Sequence, residues 1–124
     1  MGFSYLYPMI KYKDGEKRRN MEISKKDWKL FCDKLPEWQE RYMDRLANEY
    51  VKLLSDKDKK ASERFWELDK LIRLDKKNPG VLLELRKSNT VIDIMRLLRN
   101  DVISLEDLKD FSEELREAVA TYKE

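Results

Sequence analysis

The sequence predicts a mainly α protein, a four- to five-helix bundle with an N-terminal β-hairpin. Three observations carry that prediction. Large apolar side chains recur at helical spacing from Trp28 to Tyr122. Starter and breaker residues stand between those runs. The only stretch with strand character lies at the front, around a two-residue Asp14-Gly15 turn. The 124 residues fit one domain, residues 1–23 as a hairpin arm and 24–124 as the helical bundle. Charged residues make up 42% of the chain, against about 25% in ordinary domains. Their alternating signs beside a periodic apolar pattern describe solvated helix exteriors, not disorder.

Phe3 to Lys13 is rich in Tyr, Ile and Phe, which suit a half-buried pleated surface. The return stretch runs from Glu16 to Ile23. Pro8 cannot donate to a ladder, so it belongs at an edge, at a bulge or before the paired region. Ser24 with Asp27 forms a capping-box-like start, and Ile23 with Trp28 is placed for a hydrophobic staple. Trp28, Phe31, Cys32 and Leu35 then share one face of a short first helix. Pro36 is expected to end it and to open the next.

That second helix, residues 36–54, is the centre of the predicted bundle. One stripe holds Trp38, Tyr42, Leu46, Tyr50 and Leu53, and a second holds Met43, Ala47, Val51 and Leu54. Apolar over more than half its circumference, it should be contacted from two sides. A third helix, about 58–75, shows Ala61, Phe65, Leu68 and Ile72 on its main face, with Trp66 and Leu71 beside them. Asn78-Pro79 reads as a cap and first helical residue for a helix reaching Arg99, with a short strand over 81–87 as the alternative. Ser104 with Asp107 starts a last helix, in which Leu108, Phe111, Leu115, Val119 and Tyr122 share a face and Ser112 is a possible break.

The residue inventory narrows the chemistry. The chain has no histidine, which removes the commonest general base and metal ligand. One cysteine, Cys32, permits neither an intrachain disulfide nor a multi-cysteine zinc site. Cys32 lies among apolar residues and reads as a small core side chain. No glycine spacing matches a phosphate-binding loop. Neither catalytic residues, nor metal ligands, nor a cofactor are therefore expected, and the chain reads as a non-enzyme. The opening residues lack a secretory leader pattern, and no stretch approaches the roughly 18 apolar residues of a membrane span, so a cytoplasmic protein is expected.

Two binding readings stay open. The first is a protein partner or self-association, with Trp38, Tyr42, Met43 and Tyr50 as the candidate surface, because aromatic side chains anchor interfaces. The alternative is nucleic acid, through Tyr12, Lys13, Lys17, Arg18 and Arg19 of the basic hairpin, where cations meet phosphates and rings stack on bases. Residues 1–30 carry eight bases and four acids, and residues 101–124 carry three bases and eight acids. Residues 90–122 have a helix-turn-helix pattern, but the reading helix would contain Glu113, Glu114 and Glu117, so this segment reads as a structural motif. The segments SYLYPMIKYKDG, DKLPEWQERYMDRL and ISLEDLKDFSEEL resemble those of a family of small uncharacterised proteins of gut Gram-positive bacteria, often associated with mobile elements. The resemblance implies a bacterial accessory protein and no catalytic or binding residues. The transporter-type labels that some members carry conflict with the lack of a membrane span.

Overall fold

The computed structural model describes residues 22–123, with side chains to Thr121. Glu22 and Ile23 are not in a strand, and the rest of the predicted hairpin lies outside the described residues. These form four α-helices: α1 (Lys25–Leu54), α2 (Ala61–Asp75), α3 (Thr90–Arg99) and α4 (Glu113–Lys123). Two 3-10 turns, Lys87–Asn89 and Leu105–Leu108, precede α3 and α4 respectively.

The first correction concerns Pro36, which lies inside α1 and neither ends it nor starts a new helix. A proline within a helix costs about 3 kcal/mol, through the missing N–H and a clash with the previous turn. Packing on both sides of it offsets that cost. Phe31, Leu35 and Trp38 are all buried in one core, and Tyr42 packs against the same core one turn on. A break at Pro36 would turn half of that stripe away. The result is a 30-residue rod, about 45 Å long at 1.5 Å per residue.

The N-terminal half of α1 forms one wall of the core. Ile94, Leu97 and Leu98 of α3, Leu115 and Val119 of α4, and Val102, Ile103, Leu108 and Phe111 between them fill the rest. An aromatic row runs through it: Trp28 to Phe31 at 6.4 Å, Phe31 to Trp38 at 6.2 Å and Trp38 to Phe111 at 6.2 Å between ring centroids. These are ordinary spacings for tilted aromatic pairs.

The helix ends explain the remaining differences from expectation. Ser24 caps α1 as predicted, its Oγ accepting from the Asp27 N–H at 3.0 Å. The Asp27 carboxylate does not return to the cap; it crosses to Ser112. The Ser104–Asp107 box forms, with the Ser104 N–H donating to Asp107 at 2.8 Å, but it opens only a 3-10 turn. The last helix starts nine residues later at Glu113, where the Ser112 Oγ accepts from the Leu115 N–H at 3.2 Å. α3 closes with Asp101 in the left-handed region at φ 58°. The Val102 N–H reaches Leu97 O at 2.9 Å and the Asp101 N–H reaches Leu98 O at 3.1 Å. That is a Schellman close, and aspartate is among the few non-glycine residues that take the position readily.

Asn78 does not cap a long helix. The chain makes a single helical turn, with the Leu82 N–H on Asn78 O at 3.0 Å, and runs irregularly from Leu82 to Arg86, neither helix nor strand. Leu82 and Leu85 stay exposed, and Leu83 packs against the core. The Asn78-Pro79-Gly80 turn is seated on the middle of α1 instead. Gln39 Nε2 donates to Pro79 O at 2.9 Å, and Asn78 Nδ2 donates to the Tyr42 hydroxyl at 3.1 Å. Gly80 is needed here for space. A Cβ on it would stand 2.5 Å from Tyr42 Cδ2 and 2.8 Å from Val102 Cγ2. Gly80→Ala is expected to cost about 2 kcal/mol through overpacking, read as a lower urea midpoint with an unchanged slope.

Candidate functional site: an open apolar arm

Past the Asn78-Pro79-Gly80 turn, the C-terminal half of α1 runs on and pairs with α2 as an antiparallel arm. Arm and core meet along α1, and polar contacts brace the junction. Arg41 pairs with Asp107 at 3.0 Å and donates to Val102 O at 3.3 Å, and Arg45 donates to Asp101 O at 2.5 Å. Burial pushes the Asp107 carboxyl up, but the Arg41 guanidinium and the Ser104 donors outweigh it and hold the group below its ordinary range. The Tyr50 hydroxyl donates to Asp75 across the two helices. Burial first, and then that neighbouring carboxylate, push the Tyr50 phenol well above its ordinary value.

The predicted second stripe of α1 proves to be open. Met43, Ala47, Val51 and Leu54 are all exposed, Val51 at 60%. None of the 15 residues of α2 is buried. Phe65 is 54% exposed and Trp66 63%, their rings packed edge to face at 4.9 Å. Leu54, Ala61, Arg64, Phe65, Leu68, Asp69 and Ile72 line a shallow groove of about 410 Å³. Arg64 closes its loop end, donating to Leu54 O at 2.6 Å and to Lys59 O at 3.2 Å. Both stripes are expected to be covered within the bundle; no described residue covers the second.

The candidate residues separate accordingly. Trp38 is a correction: it is only 4% exposed and belongs to the core, between Phe31 and Phe111. Tyr42 and Tyr50 are half-buried, and their hydroxyls hold Asn78 and Asp75. Met43 alone of the four is exposed, at the core end of the open stripe. Sequence reasoning missed Val51, Leu54, Phe65 and Trp66 as surface residues. The available signal was the excess of apolar stripes over helices able to cover them. Cys32 is half-buried. Tyr12, Lys13, Lys17, Arg18 and Arg19 lie outside the described residues.

Among the described residues no group of three or more acidic or cysteine side chains is placed to hold a metal ion. No described helix is long and apolar enough to cross a membrane. No protein-family model, no curated protein and no solved structure matches the chain.

Proposed function

We propose that the chain is a non-enzymatic interaction module, an accessory protein of a bacterial cytoplasm, that holds a partner protein against the α1–α2 arm. The observation that carries this reading is the face of the arm that no described residue covers. A short helix draws most of its stability from packing an amphipathic face, and α2 has apolar residues at helical spacing, Phe65 and Trp66 among them, that no described residue buries. Contiguous exposed apolar surface beside a groove is the usual mark of a protein contact. The core half supplies a rigid base, since α1 is one uninterrupted rod through both halves.

Site-specific photo-crosslinking tests the reading. With the photoreactive residue at position 65 of the full chain in its own cells, a crosslinked adduct is expected. The same probe at Lys29, exposed on the far end of α1, should give none. Leu68→Glu is expected to abolish the adduct at position 65 by placing a charge in the groove. Equal adduct formation at positions 65 and 29, or none at either, would refute the arm as the contact surface.

A further inference from the structure

We infer that the occupant of the arm is a second copy of this chain, the two α1–α2 hairpins closing face to face into a four-helix bundle. The inference rests on the reading of the arm as an interaction surface and adds the identity of the partner. Ala61, Phe65, Leu68 and Ile72 are spaced by four, three and four residues, the alternation that lets side chains of facing helices interlock. Met43, Ala47, Val51 and Leu54 form the matching row on α1. The groove joins Leu54 to the α2 row, so the rows meet on one side of the hairpin at its loop end. An antiparallel helix pair with one apolar side is half of a four-helix bundle.

Charge complementarity selects the copy and its orientation. By helix periodicity, Glu40 and Asp44 flank the α1 row on its outer edge, away from α2. Arg73 and Lys76 flank the α2 row on its own outer edge, and the Asn78–Tyr42 hydrogen bond sets Lys76 about level with Asp44. All four are exposed. Among the described residues Glu40, Asp44 and Lys76 make no ion pair, while Arg73 pairs with Asp69 one turn away on the same edge. A two-fold axis running along the arm sets α1 of each copy beside α2 of the other. Asp44 then meets Lys76 twice, with Arg73 about a turn nearer the loop and Glu40 about a turn nearer the core, as a self-complementary contact requires. An outer edge with Glu40 and Asp44 on one helix, and Lys76 beside the Asp69-paired Arg73 on the other, fits a copy of itself better than a partner of single charge sign.

Light scattering and sedimentation of the purified full chain test this. The mass expected is twice that of the chain. Val51→Glu with Phe65→Glu should give a monomer with an unchanged helical circular dichroism spectrum. Glu40→Lys with Asp44→Lys should weaken the dimer about tenfold or more, as should Arg73→Glu with Lys76→Glu, and combining all four should restore it. A chain that stays monomeric at every concentration overturns the self-pairing. So does a dimer indifferent to Val51→Glu with Phe65→Glu. A monomer whose position 65 still crosslinks to a different protein overturns the copy and leaves the interaction module standing. A monomer with no adduct at position 65 overturns both.

Discussion

Asp27→Ala is expected to lower the unfolding free energy by about 3 kcal/mol, a large part of the 5–15 kcal/mol that holds a typical domain together. Asp27 is 3% exposed and stands in the first turn of α1. Its Oδ1 accepts from the Ser112 N–H at 3.0 Å, and its Oδ2 accepts from the Ser112 hydroxyl at 2.6 Å. That hydroxyl oxygen in turn accepts from the Leu115 N–H, so the carboxylate orients the residue that caps α4. One side chain thus serves the start of two helices 85 residues apart. Alanine would leave a half-buried N–H and hydroxyl of Ser112 without their acceptors, the costly half of a broken hydrogen bond. Asp27→Asn retains one acceptor and should fall between wild type and alanine. Urea unfolding followed by circular dichroism measures both. The double variant with Ser112→Ala should be much less destabilised than the sum of the singles, because both remove one interaction. A loss below about 1 kcal/mol for Asp27→Ala would show that water replaces the contact.

The same residue shows where local reading stops. Ser24 and Asp27 are legible as a cap because capping is a matter of three-residue spacing. The diversion of Asp27 to Ser112 is not legible, since it depends on how α4 returns to α1. The core half was readable in the same sense. Phe31, Leu35, Leu108, Phe111, Leu115 and Val119 lie at helical spacing, and all are buried. Pro36 misled because propensity is local, whereas the packing that overrides it spans both sides of the residue. The arm misled in the other direction. Periodicity shows that Val51 and Phe65 want cover, but not whether this chain supplies it. Only the geometry, with α2 set against one side of α1 and no described residue over the groove, separates a buried stripe from an open one.

Asp93→Asn is expected to stabilise the protein at neutral pH by about 3 kcal/mol and to flatten its stability between about pH 4 and 7. Asp93 is 4% exposed on the core side of α3. Its Oδ1 lies 3.7 Å from Arg96, and its Oδ2 is buried with no hydrogen-bond partner among the described residues. Burial raises the carboxyl from its ordinary 3.8 to about 6, against the smaller pull of Arg96. The native state therefore binds this proton more tightly than the unfolded chain does. The associated stability is fully present below about pH 4, declines as pH rises through 6, and is gone above it. Asp107 has the opposite sign. Its carboxyl is held below the ordinary range, so its contribution is present above about pH 4 and is lost only as pH falls further. The two windows meet near pH 4: the Asp93 contribution falls as pH rises above it and the Asp107 contribution falls as pH drops below it. Asparagine keeps the shape of Asp93 without a charge to desolvate, so the variant should overtake the wild type as pH rises past about 4 and reach most of its lead by pH 6. Urea midpoints across the range measure this, and the carboxyl carbon shift of Asp93 reports its titration directly. A midpoint near 4, or wild-type stability that climbs from pH 5 to 7 and is unaffected by Asp93→Asn, would mean that water reaches Oδ2.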